Sequence, residues 1–587
     1  MGYLPTDPAN FASEAIDGFA AAYPRHVRRI DGGVMRLAPI PSGQVGVVVG
    51  GGSGHYPAFA GLVGRGLAAG AVCGNIFASP SAGQVVRVGS AVERGAGLLL
   101  TFGNYAGDVL HFTLGAERLR RQGIDVRIVT VTDDIASAPI DQQELRRGIA
   151  GGLAVYKVAG AAAEAGLPLD EVERLARKAN GRTRSLGVAF SGCTLPGADQ
   201  PLFEVPSGRM AIGMGLHGEP GLSEGPLTEA GPLAALLVER LLAERPADVP
   251  EDQQRLVVLL NGLGCFKYEE LFVLFGAVNR ELQGRGVVMA DCECGELVTS
   301  LDMAGVSLSF FWLDGELEGF WNAAADSAAY RRGQLAAESD GPQQPATQRP
   351  EPELPSEPPT QPAPLTPEQE ALLARFKAVE EELQERVEEL GGLDAVAGDG
   401  DHGLGMLRGI RGARESAIGA CGRGCGPGEV LMEAGEAWSD HGGGTSGALW
   451  GGALLAAGQS LAQAREIGPN DVAAAFGAAL QAVIDLGQAA PGDKTMLDAL
   501  QPFCLRLRAD LDAGLDLAQA LQNAANTSLE AATATADLLP QRGRARPHGQ
   551  RSLGHPDPGA MSMAYCLLAA SAGYVGLHGV ADPAQAS

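Results

Sequence analysis

The stretch Asp394-x4-Asp399-Gly400-Asp401-His402-Gly403 crowds three carboxylates into a glycine-punctuated segment, in which Asp399 and Asp401, two apart on extended chain, are expected to project to the same side. Hard oxygen ligands set so close repel one another unless a divalent cation neutralises them, and Mg2+ is the usual partner where phosphates complete its shell. A calcium EF-hand is excluded, because a loop starting at Asp399 would put Ile410 where the bidentate glutamate belongs. Read alone, the string also fits a solvated, helix-capping acidic turn. Two further loops shift that balance. His441-Gly442-Gly443-Gly444-Thr445-Ser446-Gly447 precedes a helical pattern, and its bare N–H groups and hydroxyls suit phosphate oxygens at a helix N-terminus. Gly492-Asp493-Lys494-Thr495, also at a helix start, carries one of five lysines in a chain with 39 arginines. Farther on, Gly543-Arg544-Ala545-Arg546 and Arg551-Ser552-Leu553-Gly554 bring cations to the loop before Asp557-Pro558-Gly559, where arginine suits phosphate charge. No G-x4-G-K-[ST] occurs, so this is not a Walker A design. Singly each loop reads as structural; together they outline a Mg–nucleotide site.

The first half holds a second constellation. Val45–Val49 runs into Gly50-Gly51-Gly52-Ser53-Gly54-His55-Tyr56-Pro57, a pattern of strand, glycine loop and then helix that departs from G-x-G-x-x-G. Phe102-Gly103-Asn104-Tyr105-Ala106-Gly107-Asp108 places a carboxylate at the C-terminal edge of the next strand, where open α/β sheets bind ligands. Gly213-Met214-Gly215-Leu216-His217-Gly218-Glu219-Pro220-Gly221 sets a histidine in a loop that a small molecule can approach. By itself His217 fits a loop histidine bonded to local backbone better than a ligand-binding one.

Elements must position these loops. Val45–Val49, Gly97–Thr101 and Val126–Val131 read as buried parallel strands with helices between them, as at Ala91–Arg94 and Leu110–Arg121. The pattern restarts at Leu186–Ser191 and continues through Leu256–Leu260, a helix near Glu269–Leu282, and Gly286–Met289. Two linked α/β lobes are expected, about 1–185 and 186–335. Residues 342–367 hold ten prolines amid Gln, Glu, Ser and Thr, a semi-stiff spacer that cannot bury a core. The expected linker is 336–366, followed by an all-α domain over 367–587. There Thr366-Pro367-Glu368-Gln369 reads as a capping box. A single stripe through Leu372, Phe376, Val379, Leu383, Val387 and Leu390 ends at Gly391-Gly392. Amphipathic segments at 427–438, 447–465, 470–487, 495–511, 515–535 and 559–574 predict an antiparallel helical bundle or barrel.

The 587 residues carry 44 Lys and Arg against 70 Asp and Glu, a formal charge of −26, which excludes phosphate-seeking roles on nucleic acid or anionic lipid. An apolar fraction of 45% supports packed cores, and no apolar run approaches the ~20 residues of a membrane span. The nine cysteines lack zinc-site spacing and read as reduced thiols, and the acidic N-terminus has no signal-like apolar segment. A cytoplasmic protein is expected.

In order along nearly the whole chain, GGGSGH, AVCGNIFASPS (71–81), GNYAGD and MGLHGEPG resemble the K domain of dihydroxyacetone kinases. GDGDHG, GGTSGALWG, PGDKTMLDAL and RSLGHPDPGA resemble their L domain, and fusion of the two resembles the ATP-dependent members. The resemblance implies that His217 binds a short ketose as a covalent hemiaminal. Gly52, Ser53, Gly54, His55 and Asn104 would contact the sugar, and Asp108 would act as base for the hydroxyl to be phosphorylated. It further implies that Asp394, Asp399 and Asp401 hold two Mg2+ ions bridging the ATP phosphates. His402, Gly442, Gly443, Gly444, Thr445, Ser446, Lys494, Arg551, Asp557 and Gly559 would line the nucleotide. The linker would then let an L domain dock on a K domain, its own or that of a second copy in a homodimer. Departures bear on the substrate. Tyr56 stands where the family usually has Glu, Gly103 where it has Lys, and Gln550 where it often has Glu. The first two resemble relatives acting on four-carbon ketoses, so erythrulose is expected ahead of dihydroxyacetone. The alternatives are an FAD-AMP lyase that forms a cyclic phosphate, and a non-catalytic carbonyl-binding regulator.

Overall fold

The computed structural model describes residues 7–8, 10–198, 200–219, 221–251, 254–334, 365–396, 398, 400–464, 467–541 and 549–572. The chain divides into two compact units, Met1–Ala336 and Ala337–Ser587. The proline-rich stretch lies almost wholly outside the described residues, as do Asp399 and Gly543–Arg546.

The first unit is α/β. Its opening lobe has α1 (Phe11–Ala22), β1 (Val27–Ile30), β2 (Gly33–Arg36), β3 (Gly46–Ser53), β4 (Gly64–Arg65), β5 (Gly70–Ile76), α2 (Ala82–Val92), β6 (Leu98–Gly103), α3 (Ala106–Arg121) and β7 (Val126–Val131). Helices α4 (Gly152–Glu164) and α5 (Leu169–Gly181) follow. The sheet order is β1-β2-β5-β3-β6-β7, with β5, β3, β6 and β7 parallel and the β1–β2 hairpin closing one edge. The order reverses between β3 and β6, so the crevice beyond their carboxyl ends is where a ligand enters a doubly wound sheet. Strands β3 and β6 are buried on both faces, which is why they read as apolar and glycine runs rather than as alternation.

The second lobe carries β8 (Thr183–Ala189), β9 (Arg209–Ile212), β10 (Ser223–Pro226), α6 (Ala230–Ala243), β11 (Arg255–Gly262), α7 (Tyr268–Gly284), β12 (Val288–Gly295), β13 (Gly305–Trp312) and α8 (Gly315–Asn322). Its order is β10-β9-β8-β13-β11-β12, antiparallel except for the β11–β12 edge pair. Short strands β14 (Ala325–Ser327) and β15 (Arg331–Arg332) pair back onto β4 of the first lobe.

The second unit is all helical: α9 (Pro367–Glu385), α10 (Val387–Ala395), α11 (His402–Gly422), α12 (Pro427–Gly442), α13 (Gly444–Leu461), α14 (Pro469–Gly487), α15 (Leu497–Asp512), α16 (Leu517–Ala534), α17 (Gly549–Ser552) and α18 (Pro558–Ser571). One core runs through it from Phe376 to Leu567. Among the described residues no helix is long and apolar enough to cross a membrane.

Three expectations are corrected. The glycine run does not lead straight into an α-helix: it lies within β3, which continues to Ser53, a single 3-10 turn follows at Ala60–Leu62, and the next α-helix is α2. A Cβ on Gly52 would stand 2.9 Å from the backbone of Phe77 and Ala78, so the run makes room for neighbouring chain. The stripe from Leu372 to Leu390 is split at Arg386, whose backbone leaves the helical region at φ −102°, ψ 4°. The second piece passes through Gly391-Gly392, because the acidic loop folds back until Gly400 O lies 3.1 Å from where a Cβ on Gly391 would be. Asp401 is not on extended chain: Gly400 turns at φ +75°, and Asp401 enters α11 at φ −91°, ψ −7°.

Candidate active site

In the first unit, β3 delivers His55 and the β9–β10 connection delivers His217, so each lobe contributes one imidazole. Their Nε2 atoms lie 3.1 Å apart. His55 Nδ1 faces the carbonyl oxygen of Thr299 at 2.8 Å. His217 Nδ1 faces Glu219 Oε1 at 3.0 Å, while the backbone N–H of His217 donates to Glu219 Oε2 at 2.9 Å. Aromatic rings wall the pair. Phe77 stacks on His55 at 5.0 Å, and Tyr105 meets His217 edge-on at 5.0 Å.

The remaining sites read from the motifs fall around this pair with mixed duties. Ser53 Oγ donates to Gly74 O at 2.6 Å and ties β3 to β5. Asn104 Nδ2 donates to the Glu144 and Arg146 carbonyls at 3.0 and 2.9 Å, pinning the end of β6 to the loop before α4. Asp108 is in the first turn of α3, buried at 7% exposure. Gly54 turns at φ +99° between Ser53 and His55.

Burial disfavours charge on the His55 ring. Burial, then the charge of His217, pull its pKa down to about 3 against the pull of the Thr299 carbonyl and Glu219. Burial pushes Glu219 up, but the His217 ring, its N–H bonds and Arg147 outweigh it and hold the carboxyl far below the usual range. The Tyr105 hydroxyl is buried with no partner among the described residues, and burial together with Glu219 raises its pKa.

In the second unit, His402 joins three helix starts. Ser562 Oγ donates to Gly559 O at 3.1 Å, so His402 Nε2 donates to Ser562 Oγ at 2.9 Å and its Nδ1 accepts from Ser446 Oγ at 3.4 Å. This neutral tautomer agrees with burial lowering its pKa. The first turns of α11 and α13 and the second turn of α18 are thereby tied together at His402, and each of these helix starts carries the positive end of a helix dipole. Gly443 and Gly444, at φ +63° and +59°, form the tight joint between α12 and α13, with Thr445 exposed beside them and Gly442 buried. Asp557 caps α18 by accepting from Ala560 N at 2.7 Å, and Gly559 lies close by it. Lys494 is 4% exposed and donates to the Leu538 and Ser552 carbonyls at 3.1 and 2.7 Å, which locks the segment preceding α15. Arg551 is exposed on α17.

Among the described residues no group of three His, Cys, Asp or Glu side chains stands together as a metal shell. Asp394 Oδ2 accepts from His402 N at 3.3 Å at the head of α11. Burial, with Asp394 and Asp498 nearby, pushes the Asp557 carboxyl up to about 7 although Ala560 and Lys494 oppose it. The donor chemistry is what fits a divalent cation: Asp394 at the head of α11, with Asp557 near it, offers hard oxygen donors that suit Mg2+.

A paired-imidazole cleft between two α/β lobes, followed by a helical unit whose helix starts converge on an acid-and-glycine loop, defines the class built from a Dak1 and a DAK2 domain. The Dak1 domain matches residues 17–329 and the DAK2 domain residues 396–572. The chain belongs to the dihydroxyacetone kinase family. It is 50% identical to an L-erythrulose kinase of Pectobacterium atrosepticum, covering 97% of this chain and 96% of that protein. It is 51% identical to a D-erythrulose kinase of Mycolicibacterium smegmatis, covering 96% and 97%. Among solved structures it is similar to the dihydroxyacetone kinase of C. freundii in complex with AMP-PNP and Mg2+. That match has 31% identity, 97% and 99% coverage and a TM-score of 0.52.

Several residues escaped the motif reading. Glu219 and Phe77 lie inside quoted motifs, and Glu219 could have been found as the carboxylate two residues from His217. Thr299, Arg147 and Ser562 carry no local signal. Arg408, whose buried Nε has no partner among the described residues and which feels the Asp401 carboxylate, sits two turns into α11.

Proposed function

We propose that this ATP-dependent ketose kinase phosphorylates a terminal hydroxyl of erythrulose, and dihydroxyacetone less well, while the ketose is held as a hemiaminal on His217. The relatives named erythrulose kinases, at about half identity over nearly the full chain, support the substrate. The observation that carries the chemistry is the contact between the two imidazoles. Thr299 O and ionised Glu219 only accept, so Nδ1 of each ring bears a proton facing them. The 3.1 Å contact between the two Nε2 atoms needs one proton more. Two rings therefore share three protons beside one carboxylate. As the His217 Nε2 lone pair forms a bond to the carbonyl carbon, the C=O π pair moves to oxygen. The shared proton, left on His55, completes the hydroxyl. His55 ends neutral, and the positive charge stays on the His217 ring against Glu219. A polyol offers no carbonyl for this step.

Asp108 would take the proton of the hydroxyl being phosphorylated, with Gly52, Ser53, Gly54 and Asn104 shaping the floor. Asp394, Asp399 and Asp401 would hold two Mg2+ ions, which neutralise charge on the phosphates when bound. The converging helix starts with Gly442–Gly444, Thr445, Ser446 and His402 would receive the polyphosphate, while Lys494, Asp557, Gly559 and Arg551 would frame the nucleotide. The test is Mg-dependent ADP release with erythrulose, dihydroxyacetone and glycerol. Turnover with the ketoses and none with glycerol is expected; equal turnover of glycerol, or none with either ketose, overturns the reading. A second reading, cyclisation of FAD, is favoured by a relative named triokinase/FMN cyclase from Homo sapiens at 33% identity over 96% of this chain. Cyclic phosphate formed from FAD with Mn2+ and retained in His217→Ala would support it.

A further inference from the structure

Beneath the His217 loop a pair of charges, Asp134 and Arg147, leads to Glu219. Asp134, just past β7, accepts from Arg147 Nε at 3.0 Å and stands 2.8 Å from Arg147 Nη2. Arg147 Nη2 also donates to Gly213 O at 3.3 Å, and Nη1 lies 3.9 Å from Glu219 Oε2. Asp134 is 2% and Arg147 14% exposed, so solvent screens these charges weakly. The link crosses the unit. Asp134 and Arg147 belong to the first lobe, which also supplies His55; Gly213, His217 and Glu219 belong to the second.

Room for this pair is built in. A Cβ on Gly215 would overlap Glu219 Oε2 and stand 2.7 Å from Arg147 Nη1. Glu219 uses one oxygen for the ring Nδ1–H and the other for the backbone N–H of the same residue, so it fixes both the plane of the imidazole and the nitrogen that keeps its proton. A neutral or misplaced partner would leave that choice open.

We propose that Glu219 and Arg147 are positioning residues for His217. The carboxylate holds the proton on Nδ1 and so presents Nε2 to the carbonyl, and Arg147, braced by Asp134, holds the carboxylate and the whole loop from the opposite lobe. This rests on the reading of His217 as the carbonyl-binding group. In the bond-forming step no proton leaves Nδ1: the C–N bond forms at Nε2, the C=O π bond opens, and the oxygen takes the proton shared with His55. The ring charge that results is stabilised by Glu219.

The experiment uses the full chain without nucleotide. Dihydroxyacetone labelled with 13C at its carbonyl is added, and the carbon signal of the adduct is compared with that of the free ketone. Nitrogen-15 histidine labelling follows the ring nitrogens of the nine histidines, with His217→Ala for assignment. Wild type is expected to show adduct and a protonated His217 Nδ1. Glu219→Gln, Arg147→Lys and Gly215→Ala are expected to lower adduct at least tenfold at equal ketose and to shift His217 Nδ1 towards the unprotonated range, with unchanged circular dichroism. Gly215→Ala removes no functional group, so it reports the geometry where the other two lose fold. Adduct in wild type that persists undiminished in all folded variants, with Nδ1 unmoved, overturns the positioning role alone. No adduct in wild type overturns the His217 reading and this inference with it.

Discussion

A Cβ placed on Gly103 would stand 3.0 Å from Cε2 of Tyr105, the ring that meets His217 edge-on, and 3.3 Å from Gly148 O. Any side chain at the end of β6 must therefore move the aromatic wall of the site. Gly103→Ala is expected to lower kcat/KM for erythrulose about tenfold more than for dihydroxyacetone, the order of one carbon unit in a closed pocket. Steady-state kinetics on both ketoses measure the ratio; an unchanged ratio removes Gly103 from the substrate choice.

On the proposed reading His55 would act through a single proton, and burial favours the neutral ring that its delivery leaves. His55→Ala should lower kcat/KM for ketose by about 10²–10⁴, the range for a positioned acid–base group. ADP affinity should stay as in wild type, since the residue lies in the other unit from the nucleotide loops. Calorimetry with ADP separates the two effects; loss of nucleotide binding would contradict this role.

Asp401 stands at the head of α11, next to His402, whose ring joins the starts of α13 and α18. Asp401→Asn keeps the shape and removes a charge that would hold Mg2+ on the proposed reading. Mg-dependent ADP binding is expected to weaken at least a hundredfold, with little change when Mg2+ is left out. Formation of the carbonyl adduct should be untouched. Equal loss with and without Mg2+ would mean a packing fault rather than a lost ion ligand.

The placement of the candidate residues was legible where it is written locally. His55 and His217 each sit in a glycine-rich loop beyond a strand, Asp108 sits in the first turn of the helix after β6, and alternation of strand and helix patterns marked the lobes that bear them. What the spacing could not carry was contact made through the sheets. Thr299 reaches His55 from 244 residues away, and Arg147 comes to the His217 loop from the opposite lobe. Helix α11 was invisible for a related reason. Its glycines lower helix propensity, yet a Cβ on Gly409 would stand 2.5 Å from Trp438 Nε1, so tight packing on α12 and not local preference selects them. Lys494 shows the same limit: its glycine neighbours give no sign that the carbonyls of Leu538 and Ser552, far along the chain, take two of its three N–H donors.

Lys157 offers a test of how the first unit tolerates a buried amine. Its side chain is fully buried on α4, with Nζ donating to Phe320 O at 2.8 Å, the carbonyl end of α8. Burial, and then the charge of Arg332, lower its pKa from 10.5 to about 7. Between those values the unfolded chain binds a proton that the native state does not, so this group makes stability rise with pH across the window from about 7 to 10.5. Below about 7 the folded protein carries the full penalty of a buried ammonium, at about 1.4 kcal/mol per pKa unit. Lys157→Met removes that penalty and loses one hydrogen bond worth about 1 kcal/mol. The variant is therefore expected to be more stable than wild type by a few kcal/mol at pH 7, and equal or slightly less stable near pH 10. Urea unfolding of the first-unit transition at both pH values measures the difference. Parallel curves for variant and wild type across the window would show that the amine does not titrate there.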